Sequence, residues 1–333
     1  MKKLLLTGAS GFVGKNILPV LDKHYVVTTL GRASGSAIVA DLASEIPCLS
    51  EKPDLVVHAA GKAHSVPRTE AEAKVFFDVN LTGTQNLCAA LERAGTPEAF
   101  VFISTVAVYG KESGENISEE SALAGTSPYA KSKIAAEAFL KDWCDKHGVV
   151  LTILRPSLIA GPDAPGNLGA MVRGMKSGKY LRIGQGAARK SIVMVEDLAR
   201  LALLSEAKGG IFNACATCAP SFLELEKLIS RQLGKKEPIA IPLWLAKCLA
   251  LIGDCCLGKA PIDSSRLKKI TETLTFSNAK ARAELGWTPA EILENYIALP
   301  PPLPPLIKVN SLVFRGNAVL FPPRYVAVEK EAA

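Results

Sequence analysis

The chain predicts a doubly wound α/β fold, a parallel sheet covered by helices on both faces, followed by a smaller C-terminal α/β lobe. Three observations point there. Short apolar runs alternate with helical patterns through the first half of the chain, as a parallel sheet requires. A glycine-rich turn joins the first apolar run to the first helical pattern. At 333 residues the chain exceeds the roughly 100 to 200 of a common domain, which leaves room for a second lobe.

The elements follow in order. Residues 3–7 read as a buried strand and residues 11–21 as a helix, with strand-like runs at 26–30 and 37–40. Apolar runs at 55–58 and 100–104 end in small or polar residues and are separated by a helical pattern over 70–94. A helix over 128–147 and a strand over 149–154 complete a first lobe, placed at residues 1–160. Beyond it Gly and Pro become frequent, and helical segments near 167–177, 196–205 and 221–233 form the smaller lobe, placed at 161–298. Residues 299–306 read Leu-Pro-Pro-Pro-Leu-Pro-Pro-Leu, so 299–333 is expected to be a loosely attached tail, because Pro removes backbone donors and stops helices.

Composition excludes several classes. With 48% hydrophobic and 21% charged residues the chain is neither disordered nor fibrous. Its net charge of +7 comes from 39 basic residues spread without dense runs, which argues against a nucleic-acid partner. No signal peptide precedes the glycine turn, so the eight cysteines are expected to be reduced thiols of a cytoplasmic protein. Cys215 and Cys218 form a CxxC that no second pair completes, so no metal is expected. The apolar stretch 239–257 is interrupted by Pro242, Lys247 and Asp254 and is short of the about 20 residues of a span. It reads as a buried or interface helix with no membrane span.

Thr7-Gly8-Ala9-Ser10-Gly11-Phe12-Val13-Gly14 follows a strand and opens a helix. Glycine allows close backbone approach, and the helix start offers free N–H groups to phosphate. Gly8, Ser10, Gly11, Phe12, Val13 and Gly14 are therefore candidates to hold the pyrophosphate of NAD or NADP, in a Rossmann-type lobe. The second strand ends Thr29-Leu30-Gly31-Arg32 with no acid, so Arg32 tips the expectation slightly toward NADP. Tyr129 and Lys133 stand four apart, one turn on one helix face. An ammonium beside a phenol would lower its pKa toward working pH and let it exchange a proton with a hydroxyl or ketone.

TGxxGxxG at the N-terminus, with this Tyr-x-x-x-Lys downstream, resembles the extended short-chain dehydrogenase/reductase family, also called the NAD-dependent epimerase/dehydratase family. The resemblance implies further roles. Asp41 and Leu42 would lie beside the adenine, Ala59, Ala60 and Gly61 after His58 would flank the cofactor, and Asn80 would brace the active-site helix. Ser104-Thr105-Val106-Ala107-Val108-Tyr109-Gly110 resembles the family's segment bearing the hydroxyl that bonds the reacting oxygen, assigned to Thr105 with Ser104 as neighbouring alternative. Lys133 would contact the nicotinamide ribose, and Pro156, in Arg155-Pro156 through Gly161-Pro162, would border the cofactor where the chain crosses into the substrate lobe. Asn167, Arg189 or Lys190, and Arg266 would face a diphosphate.

By this resemblance the substrate is a nucleoside-diphosphate sugar and the protein a homodimer. Dehydration at C4 and C6 is disfavoured, because Val106-Ala107 stands where such relatives carry Asp-Glu. C4 epimerisation or reduction of a 4-keto sugar remains, with Tyr129 as proton relay. A same-fold dehydrogenase or reductase on a non-sugar ketone or alcohol, and a non-catalytic NAD(P) sensor, are the competing readings.

Overall fold

The computed structural model describes residues 1–63, 65–254 and 262–296. β1 (Lys3–Thr7) pairs on one side with β2 (Val26–Gly31), and β2 with β3 (Ile38–Val39). On its other side β1 pairs with β4 (Leu55–His58), and β4 with β5 (Ala99–Ile103). After β6 (Gly114–Ile117), which lies outside this sheet, β7 (Val150–Pro156) joins β5. The chain then makes β8 (Leu158–Ala160), β9 (Arg182–Ile183) and β10 (Ile192–Met194), and returns as β11 (Gly210–Ala214) to pair with β7. The finished seven-stranded sheet is parallel throughout, in the order β11-β7-β5-β4-β1-β2-β3.

Successive side chains of a strand point to opposite faces, and this divides the core in two. Leu4 and Leu6 of β1 pack with α1 (Phe12–Leu21) and α6 (Val195–Ser205), whereas Leu5 packs with α3 (Gly83–Ala94) and α4 (Pro128–His147). All four residues of β4 are buried, as expected for a strand covered on both faces. α4 has the bounds its sequence predicts because Ser127 caps its start, Pro128 occupies the first turn, and Gly148 ends it in the left-handed conformation at φ 65°.

Two expectations are corrected here. The pattern over 70–94 is not one regular helix: α2 (Glu70–Phe77) and α3 are joined by a wide π turn, Asp78–Thr82, which carries Asn80. Residue 160 is not a boundary of the sheet either, because its edge strand β11 and the covering helix α6 come from beyond it.

α5 (Gly166–Lys176) and α7 (Phe222–Leu233) pack together in the second lobe. The short pairs are β8 with β10, β9 with β12 (Ala240–Ile241), and β6 with β13 (Leu274–Phe276). α8 (Leu243–Asp254), α9 (Ser264–Thr271), α10 (Ala279–Leu285) and α11 (Ile292–Asn295) complete the described chain. Of the two alternatives expected over 239–257, a buried or an interface helix, α8 does not fit the first, since Trp244, Leu251 and Ile252 are exposed and only Ala246, Ala250 and Gly253 are buried. The tail expected at 299–333 lies outside the described residues. No described helix is long and apolar enough to cross a membrane.

Candidate active site

The glycine turn stands at the C-terminal end of β1, in the middle of the sheet. Two of its glycines serve the packing of the turn itself. A Cβ on Gly8, whose φ is +73°, would lie 2.6 Å from the Ala60 nitrogen, and one on Gly14 would lie 2.2 Å from the Gly8 oxygen. Gly11 differs, since its Cβ would meet only the Gly8 oxygen, at 3.2 Å. It is the N-cap of α1, has no side-chain cap, and its carbonyl accepts the first intrahelical bond, from Lys15. The N–H groups of Phe12, Val13 and Gly14 thus open the helix without an intrahelical acceptor, a cradle that fits a pyrophosphate. Ser10 is exposed at the tip of the turn. Arg32, at the end of β2, is exposed with its guanidinium 4.0 Å from Asp41, while Leu42 is buried against Gly83.

A line of hydrogen bonds ties this turn to α4. Thr7 Oγ1 accepts from the Ala60 N–H at 3.1 Å and lies 2.6 Å from His58 Nδ1. His58 Nε2 is 3.0 Å from Thr84 Oγ1, and Thr84 donates to the Asn80 carbonyl at 2.7 Å. Asn80 Nδ2 donates to Ser132 Oγ at 2.9 Å, and Ser132 donates to the Tyr129 carbonyl at 2.8 Å. Asn80 Oδ1 accepts from the Lys62 N–H at 2.8 Å, which fixes the loop after Gly61. Burial, with a smaller push from Lys133, lowers His58 to about 3, so the imidazole is neutral. The sequence places Thr7, His58 and Asn80 in motifs but gives no sign of the bonds that Thr7 makes, nor of Ser132; the available signal was a polar residue closing an apolar strand or facing inward on a helix.

Thr105 follows β5 and caps a 3₁₀ turn, Val106–Tyr109, its hydroxyl accepting from Ala107 N–H at 3.1 Å. The Tyr129 phenol is buried near the Thr105 side chain, and its ring packs 6.2 Å from Phe76 between centroids. Lys133 is buried one turn on, donating to the Ile103 carbonyl at 2.8 Å with its ammonium 4.3 Å from the centre of Phe102. A Cβ on Gly61 would lie 3.3 Å from that ammonium, so the loop after β4 must pass close to Lys133. Thr105, Tyr129 and Lys133 are thus brought together, beside the loop that leads from Gly61.

The expected lowering of the Tyr129 pKa by Lys133 is not found. Burial raises the phenol above its usual value, the nearby Thr105 side chain opposes this, and the ammonium is held by the Ile103 carbonyl instead. Burial lowers Lys133 itself from 10.5 to about 8, against the attraction of Glu137. Below about pH 8 the folded protein therefore carries the full cost of a buried ammonium, and above 10.5 the cost is gone. Lys133→Met is expected to stabilise the fold at pH 7, by up to about 3 kcal/mol. The gain should shrink as pH rises from 8 to 10.5, which urea titrations across that range would check.

Behind Thr105 lies a buried ion pair. Arg155 Nη2 donates to Glu137 Oε2 at 2.6 Å, with both side chains almost wholly buried. Arg155 also reaches the Tyr109 hydroxyl at 3.0 Å, and Tyr109 donates to Asn213 Oδ1 at 2.7 Å. Ser104, the alternative to Thr105, donates to Glu137 at 2.5 Å and so faces this network. Pro156 ends β7 next to Arg155 and is buried.

The expected diphosphate residues are not joined to one another. Asn167 is exposed in the first turn of α5, whose N-cap, Pro165, offers no side-chain cap. Arg189 donates to the Ala219 carbonyl at 2.8 Å and lies 3.6 Å from Glu224, so it serves the start of α7. Lys190 is buried opposite Leu274 of β13, its pKa lowered by burial against the pull of Glu272. Arg266 opens α9 with its Nε 3.4 Å from Asp263. Cys215 is buried with its thiol on the Phe276 carbonyl while Cys218 is exposed, and no three His, Cys, Asp or Glu among the described residues could hold a metal ion.

This geometry has known counterparts. N-acetyl-alpha-D-glucosaminyl-diphospho-ditrans,octacis-undecaprenol 4-epimerase of Escherichia coli O157:H7 is 28% identical over 299 residues, 84% of this chain and 88% of its own length. GDP-6-deoxy-D-mannose reductase of Pseudomonas aeruginosa is 30% identical over 243 residues, 69% of this chain and 79% of its own. The solved structure of RMD from Pseudomonas aeruginosa complexed with NADPH superposes with a TM-score of 0.68 at 25% identity, covering 89% of this chain and 96% of that one. The family model for the NAD dependent epimerase/dehydratase family matches residues 4–215, and the chain belongs to that family of NAD(P)-dependent enzymes.

Proposed function

We propose that the chain moves hydride at a carbon of a nucleoside-diphosphate sugar, inverting C4, with Tyr129 relaying the proton. The observation that carries this is the Tyr129 phenol buried beside the Thr105 side chain, with Lys133 one turn along the same helix and the open start of α1 on the far side of β4 from Thr105. The nicotinamide dinucleotide supplies the acceptor and donor of hydride. Thr105 orients the reacting sugar oxygen, and Tyr129 takes its proton or returns it. Asn80 and Ser132 hold the first turn of α4 in place, so the phenol does not wander. A sugar joined through a diphosphate is common to the substrate names of the two relatives, and Asn167, Lys190 and Arg266 are assigned to that diphosphate. Val106 and Ala107 follow Thr105, so no carboxylate stands there to expel water.

One-way reduction of a 4-keto sugar is a second reading, favoured by Arg32 at the end of β2, where a cation suits the 2′-phosphate of NADPH. Incubation with UDP-, dTDP- and GDP-sugars, followed by NMR of the sugar, tests both. C4 epimers interconverting without net change in the dinucleotide are the expected result. Stoichiometric consumption of NADPH by a 4-keto sugar selects the reductase, and turnover of no sugar nucleotide overturns the proposal.

A further inference from the structure

α8 is built inside out. The residues it buries are its small ones, Ala246, Ala250 and Gly253, while Trp244 is 67% exposed and Leu251 and Ile252 are each 64% exposed. Trp244, Cys248, Leu251 and Ile252 fall at i, i+4, i+7 and i+8, a single stripe on one face of the helix. The β9–β12 ribbon, which packs through Ile183 and Ile241 with Ala246 and Ala250, also exposes Ile239, at 75%, and Leu181, and the Arg182 N–H bonds the Ile239 carbonyl. Contiguous exposed apolar surface of this kind marks an interaction site.

Charge selects the partner. Lys247 lies on the stripe itself at i+3 from Trp244, and the exposed Lys235 and Lys236 precede the ribbon. Of the acidic groups nearby, Glu237 is paired with Arg182 at 2.9 Å, and Asp254, which holds the Ser264 N–H and hydroxyl, is one negative charge against the three lysines. A cationic rim around an apolar, Trp-bearing face complements an anionic bilayer, where lysine stems can lie along acyl chains with their ammonium groups among headgroups. A second copy of the chain seated there about a two-fold axis would bring the same lysines together. We infer that this face of α8 is a docking surface for an anionic membrane, which seats the second lobe on the lipid without spanning it. The inference stands apart from the hydride-transfer reading, because turnover of a water-soluble sugar nucleotide needs no lipid.

The test is co-sedimentation of the full chain with phosphatidylcholine vesicles, with and without phosphatidylglycerol, read together with tryptophan emission. Trp143 and Trp287 are buried, so a lipid-induced blue shift reports Trp244. Retention on the phosphatidylglycerol vesicles is expected, with a blue shift and a loss at high salt. Lys247→Gln should weaken it about fivefold, the effect of one lysine near a charged surface, and Trp244→Ser with Leu251→Ser should abolish it, with activity on soluble sugar nucleotide as the check that the variants fold. Equal retention on phosphatidylcholine alone, or no retention, overturns the inference. So does a Trp244 already inaccessible to iodide without lipid, whether a second copy or residues 299–333 cover it.

Discussion

Tyr129→Phe is expected to lower kcat by about 10² to 10⁴-fold, the usual contribution of a positioned proton-transfer group. The substitution removes one oxygen and leaves the ring against Phe76. The hydroxyl that is lost is the one whose titration the nearby Thr105 side chain influences. Dinucleotide affinity and the thermal midpoint should therefore stay close to those of the parent, which separates lost chemistry from lost structure. Steady-state kinetics beside a dinucleotide titration and a melting curve make the measurement. Unchanged turnover would remove Tyr129 from the reaction. Because burial raises its pKa, the Tyr129 of the free protein is a phenol across the neutral range, the form that the proposed chemistry needs for donation to an alkoxide at a sugar oxygen.

The second large effect is on stability. Glu137→Ala leaves the Arg155 guanidinium buried without its carboxylate, and breaking a buried pair from one side costs about 3 to 5 kcal/mol. Ser104 loses its acceptor as well. Urea unfolding of the variant should show a midpoint shifted by that amount, and the double variant Glu137→Leu with Arg155→Met should recover much of it, because both desolvation costs vanish together. A Glu137→Ala protein as stable as its parent would mean the pair contributes no constraint. The position bears on the proposed chemistry too, since Thr105 follows Ser104 directly and Tyr129 and Lys133 share a helix with Glu137.

Much of this arrangement is legible in the residues because its motifs are local. The glycine turn, and Tyr129 with Lys133, are spacings within one element, and helix and turn geometry convert such spacings into positions. What is not legible depends on partners far along the chain. β11 is five residues beginning with Gly210, too short to show a period, and only pairing with β7 makes it a strand of the main sheet. The π turn at Asp78–Thr82 adds one residue to a helix, which hydropathy periods do not resolve. Arg155 reads as part of a motif, yet its carboxylate partner sits 18 positions away on another element. The apolar content of α8 is plain, but which side faces the body is decided by Ala246, Ala250 and Gly253, small enough for close approach to the ribbon and α9.

The late arrival of β11 governs how the protein can be made. A chain emerging from the ribosome has six of the sheet's seven strands by Pro156, yet its exposed edge waits for residues 210–214. Tyr109 waits for Asn213, and β6 waits longer still for Leu274 of β13. Contacts separated so widely close slowly, and an unfilled edge strand with an apolar face invites pairing with the wrong chain during the delay. Nascent chains stalled before residue 210 should therefore lean on chaperones more heavily than those released after residue 276.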